Sequence, residues 1–192
     1  MSAAERGLRV TIYDKNPGPG AWQGFLALSW LVGCWLQKLF GAVDKFYGAK
    51  SWDDARAWLR AQPGKFESIQ YWGHGSQGLV WLAGEGMNVA EWKNLKPQLT
   101  ESTIIWFRVC SSFGGAAGHS FSQRMADVTG CTIGGHTRII GLLQGGLHTR
   151  KPNSMPSWLV SEGEFPKSWL PAWLKWGSNT VTFLATKIPV GW

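Results

Sequence analysis

The sequence predicts an α/β fold, a three-layer α/β/α sandwich around a mainly parallel central sheet. Two observations favour this fold class. Short apolar stretches typical of strands recur along the first 140 residues, and stretches with helical periodicity separate most of them. Parallel strands need such crossover connections. With 192 residues the chain is also long enough for a sizeable core, so we expect residues 1–192 to form a single domain.

The first three elements are predicted from alternation, periodicity and breakers. Residues 8–14, LRVTIYD, alternate as in a strand and lead into the breaker KNPGPG. A long apolar helix is expected from about Ala21 to Tyr47. A second helix is expected in 51–64, SWDDARAWLRAQPG, because Ser51 is a good N-cap and the Pro-Gly pair stops it.

The middle of the chain continues this alternation. The predicted elements are a strand, FESIQYWGHG, that begins at 66 and ends at Gly73-His74-Gly75, a short hairpin arm at 78–86, a helix at 88–99, a strand at 102–109, a helix at 118–129 and a strand at 131–140. Pro97 should end its helix early, and Gly130 is a typical helix stop. The order of strands and helices therefore agrees with a parallel sheet.

The last part of the chain, residues 141–192, is predicted to be a loop-rich, tryptophan-rich extension packed on the domain. It contains five prolines. Trp169, Trp173 and Trp176 follow the spacing i, i+4, i+7 and would share one face of a short helix. Packing of that face on the core is the ordinary interpretation. A surface for peripheral membrane contact or for a partner is the alternative.

Charge and cysteine content exclude some classes of function. The net charge of +7 would attract acidic partners, but the lysines and arginines are scattered and no nucleic-acid motif accompanies them, so we expect no specific nucleic-acid binding. The three cysteines, Cys34, Cys110 and Cys131, cannot form a complete disulfide framework. Because the amino terminus also lacks a signal-peptide pattern, we expect a cytoplasmic protein.

One apolar segment approaches the length of a membrane span, which is about 20 residues. It begins at Ala21 and reads AWQGFLALSWLVGCWLQKLFGAV. On a helix, a polar or small stripe follows one side of this segment and the region just after it. The stripe consists of Gln23, Ala27, Cys34, Gln37, Lys38, Gly41 and Lys45. We therefore expect no transmembrane segment here but a helix buried in the protein core.

Two reactive side chains follow predicted strands. His74 comes just after SIQYW, and Cys110 comes just after TIIWFRV. Ligands of open parallel sheets bind at the carboxyl ends of the strands. The 35 residues between His74 and Cys110 suffice for a hairpin and a crossover helix. If the two strands are neighbours, about 4.8 Å apart, the side chains face one crevice. A nucleophilic thiol needs such a base or acid within reach.

The residues around this pair suit acyl transfer. Gly75 lets a backbone N–H approach a substrate, and together with the N–H of Cys110 it would form an oxyanion hole. The sequence SSFGGAAG after Cys110 leaves room for a peptide. It also leads into a helix whose N-terminal dipole should favour the thiolate.

These two motifs resemble those of the caspase-like cysteine peptidases, a group that includes caspases, legumains, gingipains and the self-processing domains of large bacterial toxins. In that group an apolar strand ends in His-Gly and a later apolar strand ends in the nucleophilic cysteine. The matching stretches here are SIQYWGHGSQG and TIIWFRVCSSFGG. The chain looks closest to bacterial caspase-like domains of unassigned function.

The resemblance implies a cysteine endopeptidase without a cofactor, acting on a peptide, a protein or itself. Cys110 would be the nucleophile and His74 the group that protonates the leaving amine. Gly75 would be an oxyanion donor. Many members of the group carry an acidic residue shortly before the cysteine, where this chain has Arg108 and Val109. Because of this departure, the resemblance does not support a preference of the enzyme for an acidic or a basic residue at the P1 position of the substrate.

Further residues are candidates for substrate contact. By the resemblance, the loop at 145–164 would form part of the substrate pocket. The candidates in this loop are Arg150, Trp158 and Glu162. Arg108 and His136 are candidates because each lies near a predicted strand end. The alternative for the loop is that it wraps the sheet and is attached there by Trp158. The alternative for His136 is a structural role in which its side chain is hydrogen-bonded.

Other interpretations of the same residues stay open. Cys110 could be an ordinary core residue, as we expect for Cys34 and Cys131. The chain would then be a catalytically inactive caspase-like scaffold that binds a partner through its basic or tryptophan-rich surface. Zinc binding is not expected, because the cysteines and histidines lack zinc-site spacing. The glycine-rich stretches match neither common nucleotide-binding motif.

Overall fold

A six-stranded, mostly parallel sheet forms the centre of this α/β fold. The computed structural model describes residues 6–18, 20–163, 179–189 and 191–192. The described residues contain eleven strands: β1 (Leu8–Asp14), β2 (Lys45–Ala49), β3 (Phe66–Trp72), β4 (His74–Ser76), β5 (Leu79–Leu82), β6 (Glu85–Gly86), β7 (Ile104–Arg108), β8 (Thr132–His136), β9 (Leu143–Gln144), β10 (Leu147–Arg150) and β11 (Val181–Thr182). The order in the central sheet is β10-β8-β7-β3-β1-β2, and β10 alone is antiparallel to its neighbour.

Helices pack on the sheet through alternating side chains. The helices are α1 (Ala21–Leu39), α2 (Trp52–Arg60), a 3-10 helix (Val89–Gln98) and α3 (Gly115–Thr129). Tyr13 and Trp72 pack with Cys34 of α1. Their strand neighbours Ile12 and Tyr71 belong instead to the main core, together with residues of α2, α3 and the 3-10 helix. Because successive residues of a strand point to opposite faces, α1 covers a different face of the sheet from the other helices.

Buried aromatic side chains account for part of the high tryptophan content. Trp52, Trp92 and Trp106 are almost completely buried. Trp52 packs 4.8 Å from the Tyr71 ring, and its indole N–H donates to the carbonyl of Glu85. Each such ring buries a large apolar area, which is the main stabilising contribution in a core of this kind.

The predicted helix 21–47 is wrong in its last eight residues. The structure ends α1 at Leu39, and Gly41 adopts a left-handed φ of 66°, which a helix cannot continue. The following residues form β2, an edge strand that pairs in parallel with β1. This strand was not predicted, because Gly41 and Lys45 continue the polar or small stripe at helical spacing and so hide the end of the helix.

Several later boundaries also differ from the prediction. Helix α3 begins at Gly115 rather than at 118, β8 covers less than the predicted 131–140, and the helix predicted at 88–99 is a 3-10 helix. The loop-rich region contains β10, which pairs antiparallel with β8 and extends the sheet. The predicted hairpin arm at 78–86 contains two strands, β5 and β6, and β5 pairs antiparallel with β4 in a small three-stranded sheet. The predicted face of Trp169, Trp173 and Trp176 lies outside the described residues.

The condition for a shared site, that the strands before His74 and Cys110 are neighbours, is met. Strand β3 pairs in parallel with β7, and Trp72 is in register with Arg108. The segment between them contains the hairpin and one crossover helix, as the 35 intervening residues predicted. The two strands that precede His74 and Cys110 are therefore direct neighbours.

Two glycines, each the fourth residue of its helix, offer a matched test of this packing. A Cβ at Gly118 of α3 would overlap the backbone of Phe113, whereas one at Gly24 of α1 would meet nothing within 4 Å. We expect Gly118→Ala to lower the free energy of unfolding by about 1–3 kcal/mol through overpacking. Gly24→Ala should raise it by roughly 0.5–1 kcal/mol through helix propensity. Urea denaturation measures both, and an unchanged stability in Gly118→Ala would contradict the packing of α3.

Candidate active site

The ends of β3 and β7 bring the predicted pair to the same edge of the sheet. Trp72 and Arg108 are register partners on these neighbouring parallel strands. His74 and Cys110 each lie two residues beyond that partner pair. Since neighbouring strands are separated by about 4.8 Å, the two segments leave the sheet side by side. The site is thus built from two short extensions of the central strands.

A close backbone contact joins the two segments. Strand β4 starts at His74, and Gly75 packs against the end of β7. A Cβ at Gly75 would lie 2.6 Å from Cγ2 of Val109 and 2.9 Å from the carbonyl oxygen of Cys110. Such distances are not available to a side chain, so this approach requires glycine. The glycine after the histidine therefore sets the spacing between the two halves of the site.

Helix α1 orients the imidazole of His74. The Nε2 atom of His74 lies 3.0 Å from Oε1 of Gln23. Trp30, two helical turns further along, packs edge-on against the imidazole with 5.4 Å between the ring centroids. Because Gln23 offers its carbonyl oxygen, Nε2 carries the proton and Nδ1 is left as the acceptor nitrogen.

Gln23 was not predicted as a site residue. Its sequence signal is its position as a polar side chain near the start of an otherwise apolar helix. This position assigned Gln23 to the polar stripe of the helix. Only the packing of α1 against the sheet shows that its amide group reaches His74.

Asp14 adds a negative charge at the same edge. It is the last residue of β1, the strand next to β3, and it is almost fully buried. Burial raises the pKa of its carboxyl group, while N–H donation from Ala83 and Asn16 and the charge of His74 act in the opposite direction. The Asp14 carboxyl group is therefore near enough to His74 for the charges of the two groups to interact. The sequence gives no sign of this role, because the last residue of a strand is often polar.

A sharp turn carries Cys110 out of β7. The next residue, Ser111, has a φ of 51°, which is rare for a residue other than glycine. Its N–H donates to the carbonyl of Arg138, and its own carbonyl accepts from Gly114. The half-buried thiol of Cys110 points toward the carbonyl oxygen of Ile140, 3.9 Å away. The thiol is therefore held by the loop that follows β8.

The environment of Cys110 favours the neutral thiol. Burial raises the pKa of this thiol above its ordinary value, although the carbonyl of Ile140 acts in the opposite direction. Helix α3 begins five residues later, at Gly115. The effect of its dipole on the Cys110 thiol stays a prediction.

Arg108 is buried, and its position corrects the prediction of substrate contact. Its guanidinium lies between the rings of Trp72 and Trp106, with its central carbon 4.7 and 4.3 Å from their centroids. All five N–H donors are used within the protein, by Gln70, Gln144, Thr182, Phe183 and Ala185. Burial lowers the pKa of Arg108, but these acceptors and two ring faces keep it charged.

His136 is likewise a core residue rather than a substrate contact. Its side chain is fully buried. Nε2 accepts from the indole N–H of Trp106, and Nδ1 donates to the carbonyl of Gly145 at 3.1 Å. Burial lowers the pKa of His136 to about 3, so the ring is neutral. The alternative considered from the sequence, a hydrogen-bonded structural histidine, describes it correctly.

Arg150 and Trp158 also face the protein interior. Arg150 is buried on β10 and donates to Gln123 of α3. Trp158 stacks on Phe113 with 5.3 Å between ring centroids, and its indole N–H donates to the carbonyl of Phe113. Trp158 is thus the attachment of a loop that wraps the sheet. The substrate contacts predicted for these two side chains are corrected accordingly.

Glu162 lies next to the turn that follows Cys110 and is partly exposed. Its carboxylate accepts from Thr137 at 2.9 Å and from Nε2 of His148 at 2.7 Å. Its backbone carbonyl accepts from the N–H of Gly115. Because this carboxylate is 27% exposed, its role in substrate contact stays a prediction.

The other two cysteines are structural. Cys34 and Cys131 are fully buried, and burial raises their pKa values to about 12 and about 11. In the part of the chain that the structure describes, no group of three or more His, Cys, Asp or Glu side chains could hold a metal ion.

Comparison of the chain with protein-family models, with curated proteins and with solved structures found no match.

The raised pKa of Cys110 predicts how fast the thiol is alkylated as the pH changes. Because the thiolate is the reactive form, the rate of reaction with iodoacetamide should still rise where an ordinary thiol, with a pKa of about 8.5, has levelled off. Mass spectrometry of the modified peptide measures this rate. Cys34 and Cys131 should stay unmodified in the folded protein, because both are fully buried. A plateau below pH 8 for Cys110 would contradict the described burial.

Removing the Arg108 guanidinium should loosen the C-terminal segment. We expect Arg108→Gln to lower the free energy of unfolding by about 2–4 kcal/mol, because buried carbonyl groups lose their donor. Trypsin should also cut faster after the exposed Lys187. Urea denaturation and limited proteolysis test this, with the exposed Arg60→Gln as the control. Equal stability and equal cleavage in both variants would argue against a structural role for Arg108.

Proposed function

We propose that this chain is a caspase-like cysteine endopeptidase with Cys110 as nucleophile and His74 as general acid and base. The observation that carries the proposal is the register of β3 and β7. His74 lies two residues beyond Trp72, and Cys110 lies two residues beyond Arg108, the register partner of Trp72. Both therefore follow neighbouring strands at the carboxyl edge of the sheet. This arrangement supports the resemblance drawn from SIQYWGHGSQG and TIIWFRVCSSFGG.

The proposed reaction follows from the neutral state of the thiol. Sγ of Cys110 attacks the carbonyl carbon of the scissile peptide bond while its proton passes to His74. The resulting oxyanion is stabilised by the N–H groups of Gly75 and Cys110. The C–N bond then breaks, and the leaving amine takes the proton from His74. Water, activated by the same histidine, hydrolyses the thioester and restores the thiol.

Two neighbouring residues support the role of His74 in this scheme. The amide oxygen of Gln23 accepts from Nε2, which leaves Nδ1 to take the thiol proton. The charge of Asp14 stabilises the imidazolium that forms when the proton arrives. Both act as positioning or electrostatic groups, and neither needs to touch the substrate.

The packing of helices supports the finer description of the fold as a three-layer, caspase-like sandwich. Helix α1 packs with Tyr13 and Trp72, whereas α2, α3 and the 3-10 helix pack with residues that point to the opposite face. Such a fold leaves the carboxyl edge of the sheet open between the layers, where ligands bind.

A second candidate function is a catalytically inactive caspase-like scaffold. The observation that favours it is the raised pKa of Cys110, which is the opposite of what many cysteine nucleophiles show. In that case Cys110→Ala would leave the cellular activity of the protein unchanged.

A peptide probe with a thiol-reactive group tests the peptidase proposal. Since the substrate is unknown, the probe is a mixture with varied residues before the reactive group. We expect wild type to be labelled and Cys110→Ala to be unlabelled. His74→Ala should label at least about 100-fold more slowly, as expected for the loss of a general acid and base. Gln23→Leu should be intermediate, about tenfold slower, because it removes only the orienting hydrogen bond.

The same experiment separates the two candidates. Arg60→Gln, which changes an exposed residue, is the control and should label as wild type does. Labelling of wild type and His74→Ala at equal rates would show a merely accessible thiol and favour the scaffold. Modification at Cys34 or Cys131 instead of Cys110 would refute the assignment of the nucleophile.

A further inference from the structure

An apolar stripe runs along the outer surface of α1. It consists of Leu28, Val32, Trp35 and Leu39, which follow the spacing i, i+4, i+7, i+11 and therefore share one side of the helix. Their exposed fractions are 56, 50, 58 and 76%, and the following residue, Phe40, is 72% exposed. The α1 stripe, as we call these four residues, is thus a continuous apolar surface rather than scattered single side chains.

The stripe is not the side of α1 that packs on the sheet. Cys34 and Gln37 are buried, and Gly33 is so close to the Trp72 ring that a Cβ would overlap it. The prediction of a helix buried in the core is therefore correct for one side only. Because the inner side of α1 is fixed by these contacts, the stripe is held outward on a rigid support.

The dimensions of α1 suit a surface that lies on a membrane. Its 19 residues give a length of about 28 Å parallel to the protein surface. Among the helices in the described ranges, none is long and apolar enough to cross a membrane. A helix with one apolar side can instead lie in the interface of a bilayer, with its side chains at the boundary of headgroups and acyl chains.

The charge of α1 and of the whole chain favours a membrane, rather than a second copy of the chain, as the partner of the α1 stripe. Helix α1 contains no acidic residue, and its single cation, Lys38, lies exposed in a groove lined also by Val32, Trp35 and Leu39. The whole chain carries a net charge of +7. Two copies facing each other through this helix would bring like charges together with no carboxylate on α1 to balance them. An anionic lipid surface would balance Lys38 and attract the chain as a whole.

We propose that the α1 stripe binds the surface of membranes that contain anionic lipids. Trp35 and Leu39 enter the headgroup region, the aromatic ring lying at the boundary where tryptophan is favoured. Lys38 pairs with lipid phosphates, its aliphatic part lying along the apolar surface. This inference does not depend on the peptidase proposal, because none of these side chains belongs to the site of His74 and Cys110.

Flotation of the full chain with lipid vesicles tests the proposal. Wild type should float with vesicles of equal parts phosphatidylglycerol and phosphatidylcholine and much less with phosphatidylcholine alone. Trp35→Glu should weaken the partition coefficient at least about tenfold, because it puts a charge into the apolar contact. Lys38→Gln should weaken it about fivefold, as expected for one cation at an anionic surface. Met155→Glu, at an 86% exposed residue outside α1, should bind as wild type does.

Three outcomes would overturn the proposal. Wild type could fail to float with the anionic vesicles, or Trp35→Glu could float as well as wild type. Sedimentation equilibrium could also show a wild-type dimer that Trp35→Glu abolishes, which would assign the stripe to a second copy. Circular dichroism and urea denaturation of each variant control for folding. Probe labelling of Cys110 should be unchanged in Trp35→Glu without vesicles, so a failure here is distinguishable from a failure of the peptidase proposal.

Discussion

The contact on which the rest of the site depends is the pairing of Trp72 with Arg108 across β3 and β7. The guanidinium of Arg108 lies against the Trp72 ring on one side and against Trp106 on the other. Burying a cation is costly unless its donors are satisfied, and here five acceptors satisfy them. Three of these acceptors are backbone carbonyls of residues 182–185, so the same side chain holds the C-terminal segment on the sheet. The contact between Trp72 and Arg108 therefore helps to fix the register of the two strands.

The same pair connects the site to α1. The Trp72 ring packs against Gly33, where no side chain would fit, and this contact fixes the distance of α1 from the sheet. One end of the helix then brings Gln23 to His74, and the outer side presents the α1 stripe. The orientation of the imidazole and the proposed membrane contact therefore rest on a single rigid element. Binding at the stripe would bring the carboxyl edge of the sheet to a fixed position relative to the membrane surface.

The local sequence pattern was sufficient to predict the positions of residues that depend on the order of the strands. It was insufficient to predict the burial of residues whose partners are distant in sequence. The positions of His74 and Cys110 follow from two apolar strands and the length between them, and pairing of β3 with β7 confirms that order. Strand β2 was missed because Gly41 and Lys45 also fit the helical stripe of α1, so that Gly41 was not recognised as the end of the helix. The burial of Arg108 could not be predicted, because three of its five acceptors lie more than 70 residues away in sequence and carry no motif. His136 was misplaced for the same reason, since its partners Trp106 and Gly145 become neighbours only in the folded sheet.

The raised pKa of Cys110 constrains the order of proton and bond movements in any acyl transfer at this site. A preformed thiolate is disfavoured because desolvation penalises the negative charge. In the proposed mechanism the proton therefore leaves as the sulfur attacks, and the charges that appear are those of the oxyanion and an imidazolium. Asp14 acts on that imidazolium through its charge. Gln23 acts on it by accepting a hydrogen bond from its Nε2–H. A neutral thiol reacts more slowly with general electrophiles than a thiolate does, and under the proposed mechanism Cys110 becomes nucleophilic when a bound carbonyl and a proton acceptor are present together.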